Sequence, residues 1–278
     1  MNMGTLIYLN DQFIEGEKAM ISPLDLSILR GYGVMDYLRT HHGKPFHLQK
    51  HLNRFVTSAE IVGLTVPKTI EEMEKIVEEL IRRGNFGETG IKLILTGGVS
   101  QDQLLPEGPP TFFAVAYPFP AFPKRYFEEG IKIITECYQR PFPKSKTTQY
   151  LPAIMGMKRA AQEGAVDVLF HTEKGTLLET GTANFFAVKG GRVITPKEGI
   201  LEGITREVAI ELSNAIEQEI SIKDIPFFEG AFLTSSNKEI MPVIQIDHHV
   251  INNGIISPVI HNLMNAFASY TNSVPVFL

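Results

Sequence analysis

The chain has little of what distinguishes secreted, membrane or nucleic-acid-binding proteins. Its 278 residues contain one cysteine, Cys137, so a disulfide within the chain is excluded, as is typical of the reducing cytoplasm. No stretch approaches the ~20 apolar residues of a membrane span. No basic segment followed by an apolar run opens the chain, so we expect no signal peptide. A net charge of −5 argues against a nucleic-acid surface. We therefore expect a cytoplasmic protein whose partners are small molecules.

Several kinds of site are also missing from the sequence. The histidines in or beside predicted turns show no spacing typical of a metal site: His41, His42, His47, His51, His248 and His249. We find neither a serine–histidine hydrolase signature nor a nucleotide phosphate loop. Internal repeats and long charge runs are absent as well. We therefore expect no bound metal.

In the first part of the chain, alternating stretches predict four strands, and apolar residues at helical spacing predict two helices. Thr69 and Glu72 form a capping-box pattern at the start of the second helix. The predicted strands are residues 5–10, 12–17, 91–95 and 111–117, and the predicted helices are residues 48–64 and 69–83. A loop over residues 97–110 separates the last two strands.

Three prolines within residues 116–123 mark the predicted domain boundary, because they cannot continue a helix or a central strand. The predicted organisation is a first domain over residues 1–117, a linker over residues 118–123 and a second domain over residues 124–278. In the second domain we predict strands at residues 132–135, 168–171, 185–188 and 193–195, and helices at residues 152–163 and 205–217. This mixture favours the α+β class over a doubly wound sheet.

Three chemical features follow one another between residues 140 and 206. Lys146 lies in Lys-Thr-Thr-Gln-Tyr-Leu, Glu179 in Leu-Leu-Glu-Thr-Gly-Thr-Ala-Asn-Phe-Phe, and Gly203 opens a helix as Gly-Ile-Thr-Arg. An enzyme that uses pyridoxal phosphate (PLP) needs a lysine amine for a Schiff base with the aldehyde and a carboxylate to keep the ring nitrogen protonated. It also needs backbone N–H groups at a helix start to bind the phosphate. Taken alone, Lys146 would be read as a solvated loop lysine, but the order of all three features indicates PLP.

These segments resemble the class IV (fold type IV) PLP-dependent aminotransferases. That group includes branched-chain aminotransferases, D-amino acid aminotransferases and aminodeoxychorismate lyases. The resemblance runs from about Tyr8 to Gly254. It implies a two-domain α+β fold like that of D-amino acid aminotransferases, with the active site between the domains. It also implies a homodimer in which the partner's loop over residues 97–110 closes the pocket.

The resemblance assigns the catalytic function to Lys146, which would form the Schiff base and then move a proton from the substrate Cα to C4′ of the cofactor. Lys144 is a local alternative, but the family spacing favours Lys146. Glu179 would contact the pyridine nitrogen, although Thr180 stands where the family usually has glycine or serine. The cofactor contacts implied by the family are Arg54, Tyr150, Glu179, Asn184, Ile204, Thr205 and Ser236.

The substrate site is less well defined by the sequence. The Arg-x-His pair with which well-known D-amino acid aminotransferases bind the carboxylate is absent from the loop over residues 97–110. Arg30 and Lys92 are the candidate replacements, and each could instead be a surface charge. Met35 and Tyr37 would line the pocket and favour medium-sized amino acids. The spacing from Lys146 to the next helix is closest to the D-amino acid branch and slightly favours it.

Three functions are compatible with these residues. The first is an aminotransferase that moves an amino group between an amino acid, of D- or branched-chain type, and a 2-oxo acid such as 2-oxoglutarate. The second is 4-amino-4-deoxychorismate lyase, which would use the same Lys146 and Glu179 and release pyruvate without an acceptor. The third is a non-catalytic PLP-binding protein, against which the complete set of lysine, acid and phosphate contacts argues.

Overall fold

The computed structural model of the chain describes residues 4–273. Two compact units are distinguished by their internal contacts: residues 4–120 with Lys144–Gln149, and Ala121–Pro143 with residues 150–273. The chain passes from the first unit to the second inside the proline-rich segment. Residues 144–149, which we assigned to the second domain, group instead with the first unit. The domain limits given above stay a prediction, and their outermost residues, 1–3 and 274–278, lie outside the described residues.

The first unit contains an antiparallel sheet of six strands and three α-helices. The strands are β1 (Leu6–Leu9), β2 (Gln12–Glu15), β3 (Gly33–His41), β4 (Lys44–Pro45), β5 (Thr89–Thr96) and β6 (Thr111–Pro118). The helices are α1 (Leu26–Arg30), α2 (Leu48–Ile61) and α3 (Ile70–Gly84). The strand order is β2-β1-β6-β5-β3-β4, so the opening hairpin pairs with β6 and the two central strands are β6 and β5.

The alternation of buried and partly buried side chains along β3 shows which face of this sheet is covered. Val34 and Leu38 are fully buried, whereas Met35 and Tyr37 between them are only partly buried. The buried face packs against α2 and α3, which contribute Phe55 and other apolar residues to one core. Side chains two residues apart on a strand share a face, so Met35 and Tyr37 lie on the face that these helices do not cover.

Both helices predicted for this unit are confirmed, with small differences at their ends. The helix predicted over residues 48–64 ends earlier, at Ile61. The predicted capping box is also confirmed. The Thr69 hydroxyl accepts a hydrogen bond from the Glu72 N–H, and the Glu72 carboxylate accepts one from the Thr69 N–H. This box satisfies two of the donors that a helix start leaves without partners.

The second unit contains a larger mixed sheet and four α-helices. Its strands are β7 (Ile131–Cys137), β8 (Asp167–His171), β9 (Leu177–Thr180), β10 (Asn184–Lys189), β11 (Arg192–Pro196), β12 (Ile216–Gln218), β13 (Gly230–Ser235), β14 (Glu239–Ile246) and β15 (His249–Val250). Its helices are α4 (Arg125–Glu128), α5 (Leu151–Gln162), α6 (Ile204–Ser213) and α7 (Pro258–Ser273). The strands predicted in this unit lie within β7, β8, β10 and β11.

The large sheet has the order β12-β11-β10-β13-β14-β7-β8-β9, and β15 pairs with β14. Three strand pairs are parallel, β11–β12, β14–β7 and β7–β8, and the others are antiparallel. The end strand β9 also contacts β10 and β11, so the sheet curls back on itself. An apolar core that includes Phe185, Leu233 and Met241 lies within this unit.

One helix prediction is wrong at its C-terminal end. We predicted a helix over residues 205–217, but α6 ends at Ser213 because Asn214 adopts a left-handed conformation (φ 50°). Asn tolerates this conformation better than other residues with side chains, so it often follows a helix end. Residues 216–218 then form β12 instead of the last turn. None of the helices within residues 4–273 has the length and apolar character that crossing a membrane requires.

Candidate active site

Lys146 is held in the first unit by its main chain. Its carbonyl accepts a hydrogen bond from the Met35 N–H (2.8 Å), and its N–H donates to the Ser58 hydroxyl on α2 (3.1 Å). Thr147 forms an antiparallel bridge with Val34. The segment therefore runs as a short additional strand beside the start of β3. This pairing fixes the point from which the partly buried Lys146 side chain projects.

The neighbouring residues need a glycine in β3 for this arrangement. The Thr148 N–H donates to the Gly33 carbonyl (2.9 Å), and its hydroxyl lies 3.2 Å from the same oxygen. A Cβ added to Gly33 would lie 2.8 Å from the Leu95 carbonyl oxygen and 3.3 Å from the Thr148 hydroxyl. The prohibitive contact is with the backbone of β5, so the β3–β5 pairing requires glycine here, and the hydroxyl of Thr148 in the lysine segment adds a tight contact.

Arg54 projects from α2 into a buried ionic cluster with Asp36 and His51. Its Nε and Nη2 each donate to one Asp36 oxygen at 2.8 Å, and His51 Nδ1 lies 2.7 Å from Asp36 Oδ1. Burial by itself would raise the pKa of Asp36, but the charge of Arg54, followed by that of His51, lowers it below its usual value. The two-point contact fixes the plane of the guanidinium. The phosphate contact predicted for Arg54 stays a prediction.

His51 is the fully buried imidazole of this cluster. Burial lowers its pKa, and the positive charges of Arg54 and Lys146 lower it further, against the opposing effect of Asp36. Of its two ring nitrogens, Nδ1 faces the carboxylate. The charge of Lys146 therefore acts on the same cluster that orients Arg54.

Glu179 is the buried acid of the second unit. It is the third residue of β9, next to the last residue, Thr180, and 8% of its surface is exposed. Asn184 Nδ2 donates to its Oε2 (3.3 Å), and the Leu201 N–H lies 3.2 Å from both of its oxygens. Arg140 Nε donates to Oε1 (3.0 Å) and Nη2 contacts the same oxygen. These bonds, two of them from the Arg140 cation, hold the carboxylate in a single orientation.

Arg140 is a residue whose function we did not predict. It follows β7 and bonds both Glu179 and the Pro143 carbonyl (2.8 Å), so it ties the acid to the segment that leads toward Lys144. The contact joins residues 39 positions apart. A signal was present in the sequence, since an arginine opens the motif-bearing stretch, but a long-range ion pair has no local pattern.

The start of α6 provides backbone donors for an anion. Gly203 is the N-cap, and within the described residues no side chain caps this helix, whose next two residues, Ile204 and Thr205, are buried. N–H groups of a first helical turn have no acceptor within the helix and carry a partial positive charge. A Cβ on Gly203 would lie 2.0 Å from Asn184 Oδ1, so only glycine fits here.

Asn184 joins this helix start to the acid. Its Nδ2 donates to the Leu201 carbonyl (2.7 Å) as well as to Glu179. Across the β10–β13 pair it faces Thr234, whose hydroxyl is buried and has no hydrogen-bond partner among residues 4–273. Ser236 lies two residues later, in the turn between β13 and β14. The structure thus brings Glu179, Asn184 and the α6 start together, and it leaves a polar hydroxyl beside them.

The remaining predicted residues lie at separate places. Tyr150 is the N-cap residue of α5 and is partly buried. Arg30 ends α1 and is exposed, with Nη1 donating to the Leu29 carbonyl (3.0 Å). The exposed Lys92 stands opposite Tyr37 in the β3–β5 register, so these two share a face with Met35, whereas Arg30 does not belong to the sheet. Burial, followed by the nearby Tyr117, raises the pKa of Tyr37 above its usual value.

Comparison with known proteins assigns the chain to a family. Residues 33–246 match the sequence model of the amino-transferase class IV family. A putative branched-chain-amino-acid aminotransferase of Methanocaldococcus jannaschii is 33% identical over 94% of both chains. A D-alanine aminotransferase of Staphylococcus haemolyticus is 29% identical over 97% of this chain and 99% of its own length. The structure of a branched-chain aminotransferase from Thermoproteus uzoniensis with norvaline has a TM-score of 0.88, at 27% identity over 96% of this chain and 95% of that one.

The chain therefore belongs to the class IV aminotransferases. It is an enzyme with the type IV fold, and its cofactor is PLP, as the resemblance implied. The residues described above fit this cofactor. The start of α6 is not capped by any side chain of the described residues, so its N–H groups can donate to a phosphate. Glu179 presents an oriented carboxylate of the kind that a protonated ring nitrogen requires.

Proposed function

We propose that this enzyme transfers the amino group of an L-amino acid with a branched apolar side chain to a 2-oxo acid such as 2-oxoglutarate. The observation that carries the substrate class is the composition of the uncovered sheet face in the first unit. There, Met35, Ile94 and Phe113 stand opposite one another, and the next row holds Tyr37 and Lys92. An apolar row beside one cation suits an amino acid with an apolar side chain and a free carboxylate.

The chemistry is divided among a few side chains. Bound PLP supplies the ring that accepts the electron pair released at the substrate Cα. Lys146 Nζ would be the base that takes the proton from that Cα and returns it on the cofactor side. Glu179 would hold a proton at the ring nitrogen. The Ile204 and Thr205 N–H groups, the Ser236 hydroxyl and Arg54 would hold the phosphate, and Tyr150 and Asn184 would position the ring and the acid.

The substrate carboxylate needs a cation, and the chain offers two. Lys92 shares the sheet face with Met35 and Tyr37, which supports it as the partner of the carboxylate. Arg30 is exposed at the end of α1. In the loop over residues 97–110, the pKa of Asp102 is lowered first by the hydrogen bonds from Leu104 and Ser100, and to a smaller extent by the charge of Arg30. We propose that Lys92 binds the substrate carboxylate and that Arg30 interacts with the charge of Asp102 in this loop.

A second candidate substrate is D-alanine. Two observations favour it: the spacing from Lys146 to α5 resembles the D-amino acid branch, and D-alanine aminotransferases are among the relatives that match nearly the whole chain. We further propose that the enzyme is cytoplasmic, as its single cysteine suggests, and that it is a homodimer, as the family resemblance implies.

The half-reaction tests this proposal. The purified protein is loaded with PLP, and its visible absorption is recorded after separate additions of L-leucine, L-glutamate, D-alanine and D-glutamate. We expect L-leucine and L-glutamate to replace the visible band by the shorter-wavelength absorption of the amine form, and the D-enantiomers to leave the band unchanged. A response to the D-amino acids alone would assign the enzyme to the D-branch.

A control assay separates transfer from lyase chemistry. The loaded protein is incubated with 4-amino-4-deoxychorismate in the absence of any 2-oxo acid, and pyruvate is measured. We expect no pyruvate. Pyruvate release together with a visible band that no amino acid changes would reject the proposed transfer reaction.

A further inference from the structure

Lys238 is a buried lysine in the second unit. It lies in the turn between β13 and β14, two residues after Ser236, and only 3% of its surface is exposed. Its Nζ is 3.1 Å from Asp167 Oδ2, contacts the Thr182 hydroxyl and lies 5.6 Å from the centre of the Phe122 ring. Lysine is almost never fully buried unless its charge is paired, so this ammonium group is held by Asp167.

Asp167 gathers several donors at the start of β8. It is fully buried, and its Oδ1 accepts from the Val168 N–H (2.8 Å). Its Oδ2 accepts from the hydroxyls of Thr180 (3.1 Å) and Thr182 (3.3 Å) as well as from Lys238. The carboxylate is therefore fully hydrogen-bonded, and one of its oxygens collects bonds from two different turns.

The cluster connects the two turns that flank the proposed cofactor contacts. Thr180 follows Glu179 directly, and its hydroxyl accepts from the Ala183 N–H (3.0 Å), which closes the turn before Asn184. On the other side, the Lys238 N–H bonds the Ser235 hydroxyl (3.2 Å), which closes the turn that contains Ser236. The Lys238 ammonium group joins these two turns, because it contacts Thr182 directly and shares Asp167 with the Thr180 hydroxyl.

We infer that Lys238 is a positioning residue for PLP: with Asp167 it holds the turn that carries Ser236 against the turn that follows Glu179. The inference rests on the cofactor contacts proposed above for Glu179 and Ser236. A buried ion pair adds little net stability compared with well-packed apolar residues. It does fix the relative position of the two segments that carry the charges, because separating them would leave two buried charges without partners. The ring acid and the phosphate hydroxyl lie on separate strands, and a rigid cofactor needs their separation to be constant.

The test compares Lys238→Met with a matched ion-pair variant. Lys189→Met removes another Lys–Asp pair of the same unit, Lys189–Asp224, whose partners are 39% and 29% exposed. For the apoproteins we would measure the dissociation constant for PLP by titration, the thermal unfolding midpoint, and, after loading, the ³¹P chemical shift of the bound phosphate. We expect Lys238→Met to raise the dissociation constant about tenfold and to move the ³¹P signal, as groups that orient direct contacts do. Lys189→Met should change neither.

A double variant covers the case in which Lys238→Met does not fold, since it leaves the charge of Asp167 buried without a partner. Lys238→Met combined with Asp167→Asn removes both charges, and we expect it to fold while still binding PLP about tenfold more weakly than the wild type. A double variant with the wild-type dissociation constant and ³¹P shift would overturn the inference, because the pair would then serve stability alone. A wild-type protein that binds no PLP would instead reject the proposed cofactor site.

Discussion

Among single residues, Lys146 is the one whose side chain and main chain have separable functions. Its hydrogen bonds to Met35 and Ser58 use only backbone atoms of Lys146, so they persist when the side chain is shortened. We expect Lys146→Ala to lower kcat by at least about 10³-fold, because both the covalent and the proton-transfer functions that we propose for this side chain would be lost. The circular dichroism spectrum and the unfolding midpoint should stay close to those of the wild type.

Lys144→Ala is the matched control for this variant. Lys144 is exposed and two residues away in the same segment. We expect it to retain wild-type kcat. Loss of activity in Lys144→Ala together with activity in Lys146→Ala would show that the two lysines were assigned in the wrong order.

The sequence was a good guide to residues in contiguous motifs and a poor one to their partners. Glu179, Asn184 and Gly203 lie in short recognisable strings, and the structure places all three in one hydrogen-bonded group. Arg140 and Lys238 were not predicted. Their ion pairs with Glu179 and Asp167 join residues that are far apart in the sequence, and a local sequence pattern does not predict such contacts.

Among the elements, α6 shows how a helix start is shaped for binding. Gly203 has an ordinary helix-entry backbone (φ −74°), so its lack of a side chain matters for space and not for conformation. We expect Gly203→Ala to raise the dissociation constant for PLP at least tenfold and to cost about 1–3 kcal/mol of stability, because the methyl group would displace Asn184 from the Leu201 carbonyl and Glu179. Titration of the apoprotein and urea denaturation measure these two effects.

Gly4→Ala is the control for Gly203→Ala, because Gly4 lies outside α6 and the same methyl group is added. A Cβ at Gly4 would meet its nearest neighbour, a Phe86 ring carbon, at 3.5 Å, which is an ordinary contact. We expect no change in PLP affinity for this variant. Equal affinities of Gly203→Ala and the wild type would show that the α6 start is not the phosphate site.

Element boundaries show where sequence patterns were sufficient. Thr69 and Glu72 marked the start of α3 because a capping box is a local device. The β13–β14 hairpin was not predicted, since β13 and the first half of β14 are buried on both faces and read as continuous apolar runs without alternation. Pro242 within β14 is also untypical of a central strand. It stands opposite Phe232 of β13, and the pairing of β14 with β7 begins at the next residue, Val243.

For the whole molecule, the half-buried His41 and the buried His51 predict a loss of stability in mild acid. Burial, followed by the charge of Arg39, lowers the pKa of His41 from 6.5 to about 4. Between these values the unfolded chain binds a proton at this residue and the folded chain does not, so stability falls as the pH decreases from 6.5 toward 4. We expect the urea midpoint to decrease over this range, and His41→Gln to decrease less steeply. The pKa of His51 is also lowered by burial, so His51 contributes to the decrease of the urea midpoint that remains in His41→Gln.

The exposed His261 supplies the control for this measurement. We expect His261→Gln to follow the wild-type curve between pH 4 and 7. A His41→Gln curve that coincides with the wild type throughout would show that His41 titrates alike in the folded and unfolded chains.

The path of the chain between the units has a consequence for modularity. The six residues Lys144–Gln149 group with the first unit, although the residues on either side of them belong to the second. A single cut after Pro120 would therefore give one fragment that contains β3 without the lysine strand that pairs with it, and another that carries the lysine away from its sheet. Lys146 and the whole sheet beside which it lies are therefore kept together only in a contiguous segment that runs from β1 to Gln149, through the boundary at Pro120 and the first strand of the second unit.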